Sequence, residues 1–198
     1  MISILLKEST QEAHMSLERK VIPRIRSIQN DADYAQFLVY FYAYFNALES
    51  AIDPYITLKN LPDYHSRRTS RFLKRDIEAL GYTIDRLPKV TIPKIDGIQR
   101  AFAALYVMEG SIMGGRHIVK MLKGKGITVG LSFFSGYGDA TEKRWKRFQT
   151  ELNTWATSEA PEEVMVETTK ETFEHFSRVF DQPVMAPEVA HGKERIIS

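Results

Sequence analysis

The sequence predicts an all-α protein with one compact domain. Nearly every long periodic segment has its apolar residues at helical spacing, and neither a repeat nor a linker interrupts them. Strand-like alternation is weak and occurs only around Val90 and Ile127. A chain of 198 residues with 43% hydrophobic side chains can fill one sizeable core. We therefore expect about six or seven helices in a single domain over residues 1–180, followed by a loosely ordered tail, 181–198.

The helical segments can be placed by their apolar periodicity and by the residues that begin and end helices. They cover residues 3–20, 34–52, 65–80, 98–122, 139 or 141 to 157, and 161–180. Prolines and glycines supply the stops, at Pro23, Pro54, Gly81 and Gly124. The stretches 82–97 and 124–139 are rich in proline or glycine, and we expect them to be loops.

Two helix starts have competing signals. Ser9 and Glu12 fit a capping box that would begin the first helix later than residue 3, although we expect the earlier start. The second helix can be capped by Asp31 or by Asp33.

Composition and charge exclude several classes of function. The net charge of +2 is too small to indicate nucleic-acid binding. The absence of cysteine excludes disulfides, thiolate nucleophiles and thiolate metal sites. No apolar run is long enough to cross a bilayer, and the N-terminal segment meets a charge too early for a secretory signal. We therefore expect a cytoplasmic protein that binds neither nucleic acid nor membrane.

Glycines cluster inside the predicted helix over residues 98–122, in the segment YVMEGSIMGG. Each glycine costs about 1 kcal/mol relative to alanine in a helix interior, so the cluster needs a reason. Gly110 and Gly114 are i,i+4 partners on one face, and Gly115 lies roughly 100° round from Gly114. A strip without side chains allows another helix to cross closely or a flat ligand to approach the backbone. The glycines alone do not separate these two readings.

His14 is the second candidate, on the first predicted helix. The same helix face carries Lys7, Gln11 and Glu18. A lone helical histidine is more often a surface or core residue than a ligand. Here a lysine lies two turns away, about 10 Å by helix rise. An imidazole and a cation at that separation suit a metalloporphyrin, which has a metal centre and carboxylate groups at its edge.

Two segments together resemble a known family. LKESTQEAH and LYVMEGSIMGG resemble the proximal and distal motifs of the heme oxygenases, in particular the bacterial biliverdin-forming branch found with bacteriophytochromes. The segment FFSGYGDATEKRWKRF resembles that family's aromatic-Gly-Tyr-Gly stretch before a tryptophan-bearing helix. The resemblance extends over about residues 3–180. It implies an all-α fold that holds heme between the first helix and a kinked, glycine-bearing distal helix.

The resemblance also implies roles for individual residues. His14 would be the axial iron ligand, with Glu18 orienting its ring. Gly110, Ser111 and Gly114 would form the distal wall, where bare backbone leaves room for oxygen. The further heme contacts expected are Lys7, Gln11, Gly115, Lys143, Lys146 and Arg147. The sequence does not choose among the basic residues of 143–147, and at least two of them are expected to be solvated.

Ser111 and Phe45 depart from the mammalian members of the family, which have an aspartate and a supporting tyrosine at these positions. Bacterial members commonly read Glu-Gly-Ser here, so catalysis is not ruled out. Proton delivery would have to rely on Ser111, backbone carbonyls and trapped water. His117 lies one turn beyond Gly114 and is a rival candidate as ligand or as a distal polar group, whereas no neighbouring residues support His65, His175 or His191.

The resemblance implies oxidative opening of heme to biliverdin with release of carbon monoxide and ferrous iron. Heme b would be both cofactor and substrate, used with O2 and an electron donor such as ferredoxin or a flavin reductase. A phytochrome could accept the biliverdin. The alternative is a non-catalytic heme-binding protein for storage or sensing on the same scaffold. A di-iron protein would need paired Glu-x-x-His motifs and a thiaminase-like enzyme a cysteine, and the sequence has neither.

Overall fold

The computed structural model describes residues 1–156, 162–183 and 188–190. Within them the chain is a helical bundle with one two-stranded ribbon, so the predicted all-α class is confirmed. The helices are α1 (Ile2–Ser9), α2 (Gln11–Ser27), α3 (Asp31–Ile52), α4 (Ser70–Ala79), α5 (Ile98–Gly110), α6 (Gly115–Lys123), α7 (Ser132–Ser135), α8 (Thr141–Trp155) and α9 (Glu162–Val179). Single 3-10 turns lie at Tyr64–Ser66 and Gly138–Ala140. The strands are β1 (Tyr82–Thr83) and β2 (Glu188–Val189).

The core surrounds α3 and α5, which are apolar on nearly all sides. Every residue of α5 from Ala101 to Glu109 is buried. A helix of this kind must be covered by neighbours on all sides. Accordingly α5 packs against α3, α8 and α9, while α3 also packs against α4. The packing is tight at Phe41 of α3, whose ring makes a T-shaped contact with Phe176 of α9 at a centroid distance of 4.9 Å.

The first predicted helix is two helices that meet at Thr10. The helical region begins at Ile2, in agreement with the earlier of the two starts, but Thr10 leaves the helical region with φ −112° and ψ 8°. Its hydroxyl donates to the Leu6 carbonyl at 2.6 Å, which satisfies a carbonyl at the end of α1. No side chain caps α2, so the capping box at Ser9 and Glu12 is not formed.

Helix α2 continues through Pro23 to Ser27, and the predicted stop before this proline was wrong. Leu17, Val21 and Ile25 are buried at successive i,i+4 positions. This apolar stripe anchors both sides of the proline on the core.

Two further helix starts differ from the prediction. Asn30, rather than Asp31 or Asp33, caps α3, because its Oδ1 accepts from the Asp33 N–H at 2.9 Å. The segment predicted as a helix over residues 65–80 is a 3-10 turn followed by α4, with Arg67 in extended conformation between them. This extended connection directs two arginines inward, as described below.

The glycine-bearing helix is interrupted between α5 and α6. The Ile112 N–H donates to the Glu109 carbonyl at 3.2 Å and the Met113 N–H to the Gly110 carbonyl at 3.0 Å. These i,i+3 bonds tighten the chain into a turn over residues 111–114, called the distal turn below. The expectation that Gly110 and Gly114 share one face of a continuous helix is therefore wrong.

Parts of the predicted tail pair with the rest of the chain. Strands β1 and β2 are antiparallel, and the Ala190 N–H donates to the Gly81 carbonyl at 3.0 Å. The Lys89 N–H donates to the Gln182 side chain at 2.8 Å. The residues around Val90 and Ile127 are not strands. The predicted helix limits at Thr157 and Pro161, with His191, lie outside the described residues.

Within the described part of the chain, none of the helices combines the length and the apolar character that a bilayer crossing requires.

Candidate functional site

A cleft of about 580 Å³ lies between the α1–α2 junction and α9 on one side and the end of α5 and α8 on the other. Its apolar lining consists of Leu17, Tyr106, Val107, Met113, Trp145, Phe173 and Phe176. Such a mainly aromatic surface suits a large flat apolar ligand. Burial raises the pKa of the Tyr106 phenol and so favours its neutral form further.

The two motifs recognised in the sequence contribute to the walls of this one cleft. The predicted site residues that line it are Lys7, Gln11, His14, Gly110 and Ser111. The first three come from α1 and α2, whereas Gly110 ends α5 and Ser111 begins the distal turn. Folding therefore brings together residues that lie far apart in the sequence.

His14 is an exposed histidine on the wall formed by α2. Its ring meets the edge of Phe173 from α9, with centroids 5.4 Å apart and an interplanar angle of 78°. Its Nδ1 lies 3.9 Å from Glu18 Oε2, which is longer than a hydrogen bond. With Nδ1 on the Glu18 side, Nε2 is the imidazole nitrogen left to bind a metal.

The three glycines have three different surroundings. Gly110 lines the cleft, and a Cβ there would lie 3.6 Å from the Trp145 ring, an ordinary contact. Gly114 is exposed and a Cβ on it would meet no atom within 4 Å. At Gly115 a Cβ would lie 2.1 Å from the Phe134 carbonyl oxygen, so this glycine permits the close packing of α6 on α7. Only Gly110 of the three lies in the cleft wall.

The basic residues of α8 lie outside the cleft lining and are exposed at Lys143, Lys146 and Arg147. Helix α8 turns Trp145 and Gln149 towards the cleft. At roughly 100° per residue, Lys146 lies beside that face, while Lys143 and Arg147 lie on the opposite side of the helix. The orientation of α8 thus favours Lys146 among the three.

A buried polar network, which the sequence reasoning missed, lies behind the distal turn. Glu109 precedes Gly110, and its Oε2 accepts from Arg67 Nη1 at 2.6 Å. The Tyr137 hydroxyl donates to Glu109 Oε1 at 3.1 Å, and Asp63 pairs with Arg67 at 3.0 Å. Burial lowers the pKa of Arg67, but the Glu109 and Asp63 carboxylates outweigh it and the pKa is raised. The sequence did contain a sign of this network, because Glu109 is an acidic residue in the apolar run FAALYVMEG and needs a partner once it is buried.

Arg68 extends this network to the distal turn. Its Nη2 donates to Ser111 Oγ at 2.7 Å and to the Met108 carbonyl at 2.8 Å. Its backbone N–H donates to the Tyr137 hydroxyl at 2.9 Å. The end of α5, the connection before α4 and the loop before α8 are therefore joined by side chains behind the cleft.

The chain matches the heme oxygenase family model over residues 1–182. It belongs to the heme oxygenase family. The heme oxygenase of Xanthomonas campestris pv. campestris (strain 8004) is 28% identical over 149 residues, which cover 74% of this chain and 88% of that protein. The fold matches a crystal structure of the NO- and CO-bound heme oxygenase from Neisseria meningitidis with a TM-score of 0.77 at 22% identity, over 98% of both chains.

The resemblance to the heme oxygenase family is thus confirmed, and with it the heme oxygenase fold and function. The alternative of a non-catalytic heme-binding protein is not favoured. The family uses heme, O2 and a reductant. The roles of the individual site residues stay predictions.

Proposed function

We propose that the cleft binds heme between His14 and the Gly110–Ser111 wall, where the ring is converted to biliverdin with release of carbon monoxide and ferrous iron. The observation that carries this proposal is that the histidine of the proximal motif and the first glycine of the distal motif line one cleft.

The lining residues fit a non-covalently held heme. The cleft offers aromatic walls for a flat apolar ring and a histidine as nitrogen donor. The chain has no cysteine to form thioether links, which supports heme b rather than a covalently attached heme. When bound, the heme supplies the iron at which O2 is activated and the ring carbon that is oxidised.

His14 would hold the heme iron through Nε2 of a neutral imidazole. Glu18 would orient the ring by accepting from Nδ1, which requires the present 3.9 Å separation to shorten by about 1 Å. The T-shaped contact with Phe173 would restrict rotation of the His14 ring. Neutral nitrogen ligation differs from thiolate ligation, which promotes cleavage of the O–O bond in other oxygenases.

The distal wall is proposed to act by shape and by hydrogen bonding. Gly110 presents bare backbone to the cleft and so leaves room for a small ligand above the ring plane. Ser111 offers its hydroxyl oxygen at the same wall. Gly114 carries less support as part of this wall, because it lies outside the cleft lining and faces open space.

Polar residues at the cleft are proposed to bind the heme propionates and so to fix the rotation of the ring in its plane. Lys7 and Gln11 line the cleft, and Lys146 lies next to its α8 face. Rotation of the ring decides which meso carbon faces the distal wall. Gly115, Lys143 and Arg147 carry less support in this role, because they lie away from the cleft.

Ferredoxin or a flavin reductase is proposed as the electron donor, and a phytochrome as an acceptor of biliverdin. The bacterial branch is supported by the relatives from Xanthomonas and Neisseria. The cytoplasmic location expected from the sequence stays a prediction.

The axial ligand is tested by replacing His14 with alanine. The heme-reconstituted variant should lose the normal Soret band and the formation of biliverdin, because no other imidazole lines the described cleft. His117→Ala is the matched control, since His117 is exposed on α6, and it should bind heme and turn over as the wild type does. Biliverdin formation at the wild-type rate by His14→Ala would refute the assignment. Chromatography of the product identifies its isomer in the same experiment.

A further inference from the structure

Arg68 is a buried cation whose guanidinium is tied to the protein mainly through neutral oxygens. Only 5% of the residue is exposed. Besides Ser111 Oγ and the Met108 carbonyl, it donates to the Phe133 carbonyl at 3.2 Å. Its Cζ lies 3.7 Å from the centre of the Phe133 ring, while Nε has no hydrogen-bond partner.

The nearby carboxylates are engaged elsewhere, so the charge of Arg68 is not cancelled by direct contact. Glu109 accepts from Arg67 and Tyr137. Glu49 accepts from the backbone and hydroxyl of Ser70. Among the described residues, none forms an ion pair with Arg68. Burial lowers the pKa of Arg68 to about 10, so the side chain is still cationic at neutral pH.

The hydroxyl of Ser111 has a fixed orientation as a result. A serine hydroxyl has one proton to donate and two lone pairs to accept with. The proton of Ser111 is donated to the Met108 carbonyl at 2.6 Å, and one lone pair accepts from Arg68 at 2.7 Å. One lone pair is left, and Ser111 lines the cleft. The cation therefore lies one hydroxyl group away from the cleft wall.

We propose that Arg68 is a positioning residue for the reaction, which fixes Ser111 as a hydrogen-bond acceptor and gives the distal wall a positive potential. The wall would then hold a water molecule by its O–H and stabilise negative charge on a small ligand, without an acid of its own. This inference rests on the proposed binding of heme in the cleft. The Arg68 guanidinium does not line the cleft itself, and it acts on a ligand there through Ser111.

A purely structural role for Arg68 makes a different prediction. Its bonds to the Met108 and Phe133 carbonyls join the end of α5 to α7, and loss of such a staple would disturb all ligands of the cleft alike. A positive potential instead favours anionic ligands over neutral ones. An anion and a neutral molecule of similar size therefore separate the two roles.

The test compares fluoride binding to the ferric heme complex with carbon monoxide binding to the ferrous complex. Arg68→Met removes the charge at similar length, and Arg68→Gln removes it while keeping an N–H donor for the Met108 carbonyl, so that a neutral variant is available if methionine impairs folding. Both should bind fluoride about tenfold more weakly, because a buried positive charge one hydroxyl group behind the cleft wall would no longer attract the anion. Their carbon monoxide affinity should change by less than about twofold, with a higher C–O stretching frequency. Arg68→Lys, which keeps the charge, should stay within about threefold of the wild type for fluoride.

Equal fluoride affinity in the neutral variants and the wild type would overturn the proposal. A parallel loss of fluoride and carbon monoxide binding would also overturn it and would leave Arg68 with a structural role. Both outcomes are distinct from failure of the proposed function, in which the wild type would lack the normal Soret band or its His14→Ala variant would keep it.

Discussion

Gly114 and Gly115 are adjacent glycines, but the structure requires a glycine at only one of the two positions. Gly114 has ordinary helical dihedral angles, φ −81° and ψ −13°, and faces open space. Gly115 begins α6 against the backbone of Phe134. The sequence shows both as members of one cluster, but only the second is required by packing.

Replacement of each glycine by alanine should therefore have opposite effects on stability. Gly115→Ala should lower the free energy of unfolding by about 3 kcal/mol, because its Cβ would clash with a backbone carbonyl that cannot move away like a side chain. Gly114→Ala should raise it by about 0.5 kcal/mol, since alanine restricts the unfolded chain. Urea denaturation of the two apo variants measures both. Equal destabilisation would show that the distal turn needs glycine at both positions.

For single residues, the sequence predicted which ones belong to the site and not what surrounds them. His14, Gly110 and Ser111 were placed in the site by the resemblance, and they line one cleft. Gly115 was placed there too, but its packing against α7 depends on a chain segment that no local pattern connects to it. Arg68 was missed because its partners are all distant in sequence.

The end of helix α5 is held by a buried ion pair rather than by a helix cap. Glu109 and Arg67 have side chains that are 2% and 1% exposed. Taking both out of water is costly, and the pair tolerates this only while each charge keeps its partner. The pair positions the last turn of α5, and with it Gly110.

Glu109→Gln should lower the free energy of unfolding by about 3 kcal/mol, because it leaves Arg67 buried with Asp63 as its remaining carboxylate partner. The matched control is Glu78→Gln on α4. Glu78 pairs with Lys74 at 4.0 Å, and both side chains are more than half exposed. Its loss should change stability by less than about 0.5 kcal/mol. A similar small effect for both variants in urea denaturation would mean that the buried pair is not the determinant of this helix end.

Helices as elements were predictable, and their interruptions were not. The periodicity of apolar residues located the main helices because each buries one face or more on the same core. The breaks at Thr10 and at the distal turn involve hydrogen bonds that local propensity does not reveal. Pro23 shows the reverse error, since a residue that usually stops a helix is overruled by the buried stripe of α2.

Helix α9 packs against both early and central parts of the chain, namely α1, α2, α3 and α5. It supplies Phe173 to the cleft and carries His175 two residues further on. The Nδ1 atom of His175 is buried without a hydrogen-bond partner. Burial, and next the neighbouring Arg178, lower the pKa of His175.

The stability of the whole protein should therefore depend on pH through His175. Its folded-state pKa lies below the unfolded value of about 6.5, so the unfolded chain binds the proton more readily. The contribution of His175 is present above that unfolded value and is lost as the pH falls through the folded one. His175→Gln should reduce the difference in unfolding free energy between about pH 5 and pH 7.5. His65→Gln, at an exposed histidine, is the control, and an unchanged pH dependence in His175→Gln would contradict the assignment.

For the molecule as a whole, the fold and family followed from helical periodicity and two short motifs. The polar network of Arg67, Arg68, Glu109 and Tyr137 did not, because it forms only after three separate segments have packed together. Hydrophobic patterns constrain which faces meet, but they do not specify which polar groups become neighbours behind those faces.

The bond between Arg68 and Ser111 bears on how sequences of the family should be compared. An aspartate at position 111, as in mammalian members, would lie beside the Arg68 guanidinium in this chain and pair with it. Its carboxylate would be neutralised by that partner instead of organising water in the cleft. Positions 68 and 111 should therefore covary across the family, and a graft of one residue between branches will transfer its chemistry only when the other is exchanged with it.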